Sequence, residues 1–359
     1  MNTNNYRKPL AEQQLSFLRN IQRILNEGSF VSTYKFALLH TLADLSIIKG
    51  DDSGAPLALT SDDLATQFLY LYARQTKPFP GTNAQILKQN TGGQAAIINH
   101  ISEAAVAYGG NAIRPERDPA LISSIDATIR KMPLWKLQRV GDEVLDHLYE
   151  NTNEYTCRSI VLKPGVAFCF RTFYEFITAM IQQHWTTYVR KYNVDVIGEN
   201  VDLKEFLFGT KRSNLTPLRQ SLYDIQKGRC FYTNQPLHGT GEVDHFIPWS
   251  RYPSDLGHNF VLASTTANRH KSNHIAAEEH LERWTQFHLE HSTELEKVFD
   301  QFKFRYSLEN SLQIAQWAYN HVYQAKAQVW IKSKSLRRIT SQWQPILNQA
   351  FQNLELDDY

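Results

Sequence analysis

Apolar residues recur every three or four positions through much of the first 200 residues, a spacing that predicts amphipathic helices. One helix is predicted from about Gln13, and a second from Thr33 to Ile48. The polar residues from Lys49 to Pro56 predict a loop, and Thr60 to Asp63 has the pattern of a capping box that opens another helix. A longer helix is predicted from Arg171 to Asn193. The amino-terminal region is therefore expected to be mainly helical.

Two segments rich in β-branched and aromatic residues interrupt this helical spacing. Ser159 to Phe170 contains Pro164-Gly165 and predicts a hairpin, and Val329 to Ile339 predicts a second, short hairpin. The expected fold class is α+β and mainly α-helical. Three regions are predicted: a helical domain at 1–200, which is a candidate DNA- or partner-recognition module, a compact mixed unit at 218–280, and a helical carboxy-terminal region at 281–359 that contains the short hairpin.

Composition narrows the class of protein only moderately. The chain has 359 residues, of which 42% are hydrophobic and 21% charged, as is ordinary for a globular protein of two or three domains. A net charge of +2 neither demands nor excludes a nucleic-acid partner. The three cysteines, Cys157, Cys169 and Cys230, are odd in number and widely spaced, which argues against a disulfide framework. No secretory leader or membrane-spanning apolar run is recognised, so a cytoplasmic location is expected.

Candidate chemistry is concentrated in the mixed unit, around an Asp244-His245 pair. Thirteen residues separate His245 from Asn259, and eight separate Asn259 from Asn268. An imidazole with an ordinary pKa of about 6.5 can take a proton from water at neutral pH. Carboxylate and amide oxygens are hard ligands that suit Mg²⁺ or Mn²⁺. These residue types predict phosphodiester hydrolysis assisted by one metal ion.

The local pattern places these side chains on a strand, a loop, a second strand and a helix. The predicted elements are Gly241 to Ile247, Ser250 to Gly257, Phe260 to Leu262, and a helix that is capped by Ser264. Asn268 then lies one turn into the helix. Because neighbouring strand residues point to opposite faces, Asp244 and His245 cannot both reach one atom from an ideal strand. A strand end or a strong twist would have to bring them together.

The spacing resembles that of the HNH endonuclease family, whose ββα-metal finger carries Asp-His, then Asn in a loop, then Asn or His on a helix. It is similar in particular to the HNH domain of RNA-guided CRISPR effectors. The resemblance implies that His245 is the general base, that Asp244 and Asn268 bind Mg²⁺, and that Asn259 braces the loop carrying the histidine. The expected products have 5′-phosphate and 3′-hydroxyl ends. We refer to residues 218–280 as the finger.

Helical phase separates the remaining polar residues of the finger's helix. His270 follows Asn268 by two positions and is rotated by about 200° from it, whereas Lys271 at the third position shares its face. Lys271 is therefore a candidate phosphate contact, and Arg269 is either a second contact or a solvated cation. The alternative of a zinc site at His270, His274 and Glu278 stays open, because these residues follow each other at intervals of four.

A structural zinc ion of the kind held by paired Cys-x-x-Cys motifs is not expected. Cys230 is followed by Thr233 at the position where the second cysteine would fall. Cys230 is instead predicted to be a small buried residue. The cofactor expected is Mg²⁺, for which Mn²⁺ would substitute.

Contacts outside the finger are needed to bind DNA with useful affinity. Two basic runs are candidates, with solvated surface as the alternative in each case. They are Lys332, Lys334, Arg337 and Arg338 around Trp330, and Lys211, Arg212, Arg219, Lys227 and Arg229 before the finger.

The amino-terminal segment from Ser32 to His40 resembles the region ahead of HNH domains in some bacterial restriction-type and phage-defence proteins. Helix, loop and helix order there fits either a winged-helix-like DNA module or a plain helical bundle. The resemblance implies a DNA endonuclease of restriction or phage defence, nicking or cutting DNA, with other subunits of a defence system such as type II Zorya as partners. Two alternatives are a DNA- or partner-binding sensor with a gated nuclease finger, and an RNA-directed nuclease.

Overall fold

The computed structural model describes residues 6–80, 84–107, 118–150, 158–198, 202–209, 215–239 and 241–357. It is α+β and mainly helical, as predicted. The chain divides into two compact units, Met1–Thr210 and Lys211–Tyr359. No helix in the described ranges combines the length and the apolar character needed to cross a membrane.

The first unit is built around one buried helix. Its helices are α1 (Ala11–Glu27), α2 (Tyr34–Lys49), α3 (Ser61–Ala73), α4 (Ala96–Ala107), α5 (Pro119–Lys131), α6 (Pro133–Lys136), α7 (Val166–Thr172), α8 (Tyr174–Tyr192) and α9 (Leu203–Phe208). Its strands are β1 (Leu57–Thr60), β2 (Arg139–Val140), β3 (Glu143–Val144) and β4 (Ser159–Leu162). Every residue of α2 except the last is buried, so α2 is covered on all sides by its neighbours, α3, α7 and α8 among them.

Polar contacts fix both ends of the loop that follows α2. The Arg171 guanidinium donates to the carbonyls of Ser46, Ile47 and Gly50 at 3.1, 3.0 and 2.9 Å, and so caps the carboxyl end of α2. At the start of α3 the Thr60 side chain accepts from the Asp63 amide at 3.1 Å, and the Asp63 carboxylate accepts from the Thr60 amide at 2.9 Å. The predicted capping box is confirmed.

The hairpin predicted from Ser159 to Phe170 is wrong. Only Ser159–Leu162 is a strand, and it pairs antiparallel with the distant β1, Ser159 opposite Thr60. Gly165 adopts a left-handed φ of +81° and leads into α7 rather than into a second strand. Strand propensity was visible in the sequence, but the partner strand depends on contacts between remote segments.

The second unit contains the finger and the helices after it. Its elements are α10 (Leu218–Ile225), β5 (Glu242–His245), β6 (Phe260–Ala263), α11 (Thr265–Lys271), α12 (Glu278–Glu290), α13 (Ser292–Gln301), α14 (Leu308–Gln324), β7 (Gln328–Lys332), β8 (Ser335–Arg338) and α15 (Trp343–Asp357). The predicted carboxy-terminal hairpin is confirmed as β7 and β8.

The finger shares its apolar core with the carboxy-terminal elements. Phe246, just after β5, stacks on Trp284 of α12 with ring centroids 4.9 Å apart. The Trp330 amide of β7 donates to the Ile275 carbonyl at 2.8 Å, and the Ala277 amide donates to the Trp330 carbonyl at 2.7 Å. The segment after α11 is therefore held against the hairpin by backbone hydrogen bonds as well as by packing.

Candidate active site

The finger has the strand, loop, strand and helix order that the sequence predicts. β5 and β6 pair antiparallel, with Asp244 opposite Val261 and His245 opposite Phe260. The Ser264 hydroxyl accepts from the Ala267 amide at 3.2 Å and so caps α11. The Ser264 amide donates to the Cys230 sulfur at 3.2 Å, so the buried Cys230 helps to fix the start of this helix.

One face of β5 carries Asp244, which is buried with two hydrogen-bond donors. Its side chain is 2% exposed, and Oδ2 accepts from the Tyr232 hydroxyl at 2.6 Å and pairs with Lys271 Nζ at 2.9 Å. Burial, followed by the Asp244 charge, raises the pKa of Tyr232 well above its ordinary value, so this hydroxyl stays protonated and donates. Asp244 is therefore an ion-pair partner inside the finger.

Lys271 differs from its predicted role as a phosphate contact. Helical phase places it on the face of α11 toward β5, as expected, but its side chain is 0% exposed. Its ammonium group also donates to the His245 carbonyl at 2.8 Å. In this arrangement a phosphate cannot reach it, because the four-carbon stem carries the charge inward to Asp244. Arg269 is exposed, and its contact with phosphate stays a prediction.

Asn268 faces Glu242 rather than Asp244. Its Nδ2 donates to Glu242 Oε2 at 2.9 Å, and both side chains are partly exposed. The sequence reasoning missed Glu242. The period of two along a strand, which places residues 242 and 244 on one face, is the signal that would have found it.

The donor set at this face fits a hard cation. The Glu242 carboxylate and the Asn268 amide offer oxygen ligands of the kind Mg²⁺ prefers, and Mg²⁺ keeps several waters when a protein supplies few ligands. Asp244 fits less well, because Oδ2 already contacts an ammonium and a hydroxyl. Within the described ranges, no three His, Cys, Asp or Glu side chains are grouped so that they could hold a metal ion.

The zinc alternative on the finger's helix does not have the geometry it requires. α11 ends at Lys271, and Ser272 has a left-handed φ of +49°. His270 and His274 therefore do not share a helix face. Glu278, the third member, accepts from the Thr340 amide and hydroxyl, both at 2.7 Å.

His245 lies on the other side of β5, in a pocket of the loop. Its side chain is 1% exposed, and Nε2 is 2.8 Å from Asp255 Oδ1. The rings of Trp249 and Phe260 lie 5.2 and 5.1 Å from the imidazole. Nδ1 is buried and has no hydrogen-bond partner among the residues that the structure describes. When Nε2 donates to Asp255, Nδ1 carries the free electron pair of the neutral ring.

Asp255 is the second residue that sequence reasoning missed. It lies ten residues beyond His245 in the turn-rich loop, where an acidic residue is unremarkable by composition. Only the return of the loop toward β5 brings its carboxylate to the imidazole.

Asn259 clamps the chain directly after His245. Its Oδ1 accepts from the Ile247 amide at 2.7 Å, and its Nδ2 donates to the Ile247 carbonyl at 2.9 Å. Its own carbonyl accepts from the Phe246 amide at 2.7 Å. This is the contact expected of a brace for the loop that carries the histidine.

The four residues of the motif thus fall into two neighbourhoods. Asp244 lies on the face of β5 that is turned toward α11, the helix that carries Asn268. His245 and Asn259 lie toward the loop. The side chains of Asp244 and His245 have different partners, as strand alternation predicts. Lys271 links the two sides, since it contacts the Asp244 carboxylate and the His245 carbonyl.

Comparison with known families agrees with this geometry. Residues 230–277 match the family model described as HNH endonuclease. This segment is similar to an HNH domain. The match lies inside the finger and contains all four residues of the motif, and it points to nuclease activity on nucleic acid. Comparison with curated proteins and with solved structures gave no significant match.

The basic runs around the HNH domain are partly used inside the fold. Arg337 pairs with Glu278 and Glu279 at 2.7 and 2.8 Å, and Trp330 is buried. Arg229 donates to the Asn234 carbonyl at 2.9 Å. Lys211 and Arg212 lie outside the described residues. Neither run is a simple row of free cations.

Proposed function

We propose that this protein is a metal-dependent endonuclease that hydrolyses DNA phosphodiester bonds at its HNH domain. The observation that carries the proposal is the state of His245. Its Nε2 is held by Asp255, and its Nδ1 is without a partner within the described part of the chain, inside a segment that matches the HNH family. A histidine arranged in this way is a general base with a defined tautomer.

We assign to His245 Nδ1 the removal of the proton from the water that attacks phosphorus; because this nitrogen is buried in the structure, the loop over it must open to admit that water. Asp255 holds the ring in orientation and stabilises the imidazolium that forms, as a carboxylate does for a catalytic histidine in other hydrolases. Asn259 keeps the chain after His245 in place through its paired hydrogen bonds to Ile247. Fixed geometry of this kind lowers the entropic part of the barrier.

Glu242 and Asn268 would hold the metal ion. When bound, Mg²⁺ supplies positive charge to the scissile phosphate and to the leaving 3′-oxygen. Mn²⁺ is expected to substitute, because it accepts the same oxygen ligands. Lys271 keeps the Asp244 carboxylate neutralised beneath this pair and supports the strand on which Glu242 lies.

The proposed biological setting is bacterial restriction or phage defence, inside the cytoplasm and with other defence subunits as partners. It rests on the resemblance of the motif and of the segment from Ser32 to His40 to such proteins. Because one HNH domain hydrolyses one strand at a time, a monomer is expected to nick DNA.

Supercoiled plasmid with Mg²⁺ tests the nuclease activity. Wild-type protein should convert the plasmid to the nicked form, EDTA should abolish the conversion, and Mn²⁺ should restore it. His245→Ala should be inactive, whereas His238→Ala, which changes an exposed histidine of the same finger, should cleave normally. Parallel reactions with modified DNA and with RNA identify the substrate.

Two results would contradict the proposal. If the plasmid stays intact under conditions in which a control nuclease cuts it, the protein has no DNase activity on its own. Full activity of His245→Ala would show that His245 is not the general base. Cleavage of RNA but not DNA would replace the substrate and keep the chemistry.

A gated finger is the second candidate function, and one observation favours it. Asp244, the metal ligand implied by the family pattern, is held by Lys271 and Tyr232. Its release would need a rearrangement that a partner or DNA could trigger. Salt-sensitive DNA binding by wild type and by Asn268→Ala, with no cleavage by either, would favour such a sensor.

A further inference from the structure

Two cations of the first unit lie over one tryptophan, and a third, from another element, lies close to the backbone of one of them. Lys136 Nζ and the Arg139 guanidinium carbon lie 4.7 and 5.4 Å from the centre of the Trp135 ring. Lys35 Nζ is 3.4 Å from the Arg139 carbonyl oxygen and 5.5 Å from the centre of the Phe30 ring. We call Lys35, Lys136, Arg139 and Trp135 the Trp135 cluster.

The positive charge of the Trp135 cluster is not neutralised within the fold as described. None of its three cations forms an ion pair with a carboxylate of the described residues. Nearby cations do, since Arg130 pairs with Asp126 at 2.9 Å and Arg23 with Glu143 at 2.7 Å. The cluster therefore differs from its surroundings in lacking an acid.

Burial makes this unbalanced charge unfavourable. Lys35 is only 8% exposed. Burial, and after it the charge of Lys136, lower the pKa of Lys35 to about 8. Arg139 Nε is also buried, with no hydrogen-bond partner in the described structure. Lys136 and Arg139 are half-buried and can reach an anion, and the charge of the buried Lys35 adds to the attraction.

Phosphate is the anion that the cluster fits best. A guanidinium and two ammonium groups offer many donors and no acceptor, which suits the oxygens of a phosphodiester. Two cations already lie over the Trp135 ring, so the ring positions charge rather than a base. HNH fingers also need backbone contacts from elsewhere in the chain to hold DNA in register.

We propose that the Trp135 cluster binds the phosphate backbone of DNA. This inference rests on the proposed function for its choice of ligand, and it assigns to the first unit a share of the affinity for that substrate. The cluster is invisible in the sequence as a basic run, because Lys35 lies on α2 while Lys136 and Arg139 lie far along the chain on α6 and β2.

Binding of the full-length protein to a duplex oligonucleotide tests the inference, with EDTA present so that cleavage cannot interfere. Lys136→Gln/Arg139→Gln should raise Kd about tenfold and lower the slope of log affinity against log salt by roughly two, one for each lost phosphate contact. Lys77→Gln removes an exposed cation of the same unit outside the cluster and should leave both values unchanged. Thermal melting of each variant checks the fold.

A single charge reversal, Lys136→Glu, keeps the test decisive if the double variant is unstable, because Lys136 lies over the Trp135 ring and forms no hydrogen bond or ion pair with the residues that the structure describes. It should weaken binding at least as much as the double variant. Wild-type affinity and salt slope in the folded variants would overturn the inference, as would an absence of DNA binding by wild type. Plasmid cleavage tests the proposed function separately. DNA binding that depends on the cluster, together with an absence of plasmid cleavage, would support this inference and contradict the proposed nuclease activity.

Discussion

Asp255 determines which nitrogen of His245 is free, and so its removal should affect catalysis more than folding. Asp255→Asn is expected to lower kcat roughly a hundredfold with little change in KM, since the imidazolium loses its partner only as the proton is transferred. Steady-state cleavage at a fixed pH measures kcat and KM.

Glu282→Gln, an exposed carboxylate of the same unit, is the matched control and should behave as wild type. An Asp255→Asn protein with unchanged kcat would mean that the 2.8 Å contact to His245 has no part in the reaction.

The ion pair between Asp244 and Lys271 makes a prediction about stability. Lys271→Met leaves a carboxylate buried beside Tyr232 without its cation, which should lower the free energy of unfolding by about 3 kcal/mol or more. Asp244→Asn/Lys271→Met removes both charges and should recover much of this loss. Urea unfolding of the two single variants and the double variant gives the coupling energy. A coupling near zero would show that the pair is not formed in solution.

Glu242 extends the proposed metal site beyond the family pattern. Glu242→Gln should raise the Mg²⁺ concentration for half-maximal cleavage by about tenfold and leave the rate at saturating metal much less changed. Glu279→Gln, on an exposed acid of α12, serves as the control. Equal Mg²⁺ dependence in wild type and Glu242→Gln would return the ligand role to Asp244.

At the scale of elements, local signals were enough for elements that depend on adjacent residues and insufficient where remote segments pair. The Ser264 cap, the first strand of the finger and the carboxy-terminal hairpin each depend on adjacent residues, and the structure has all three, although the strand ends at His245 rather than at Ile247. β4 has strand residues but pairs with β1, a choice made by remote packing. Asp255 reaches His245 only because the loop folds back toward β5, which the sequence does not show. Glu242 was missed because the alternation of the strand was not followed from Asp244 back to residue 242.

The carboxyl end of α2 offers a test of how one side chain holds an element. Arg171 is buried and donates to three carbonyls at the end of α2. If the side chain is truncated to an apolar chain, these carbonyls lose their donor and no water takes its place. Arg171→Met should destabilise the first unit by about 3 kcal/mol. Hydrogen exchange should show faster amide exchange around α2, while plasmid cleavage by the folded fraction is retained. Unchanged protection of α2 would contradict this capping role.

At the scale of the whole molecule, the finger is not an independent module. Phe246 stacks on Trp284, and the Trp284 indole donates to the His258 carbonyl at 3.1 Å. His258 is the residue before Asn259, so the carboxy-terminal helices support the loop that carries the base. Sequence patterns gave the helices of this region but could not show that their core is also the core of the finger, because shared burial is a property of the folded chain.

That shared core contains two neutral histidines, which make the fold sensitive to acid. The rings of His258 and His288 are 5.5 Å apart and fully buried, and their nitrogens lack hydrogen-bond partners in the described structure. Burial lowers the pKa of His258 to about 4 and that of His288 well below its ordinary value. In the unfolded chain both titrate near pH 6.5, so the unfolded state binds more protons than the folded state below that pH.

The stabilising effect of a neutral His258 is therefore complete above about pH 6.5 and is lost progressively as the pH falls toward about 4, by about 3 kcal/mol for this one group. His258→Phe removes the titrating ring and keeps the aromatic contact with Phe299. Urea unfolding at about pH 7.5 and about pH 5, on either side of the ordinary histidine pKa, should show a smaller loss of stability for this variant than for wild type. His238→Ala, at an exposed histidine, should lose as much as wild type. An equal loss in His258→Phe would mean that the acid sensitivity arises elsewhere. The next residue to change is then His147 of the first unit, whose ring nitrogens are buried and whose pKa burial lowers to about 4.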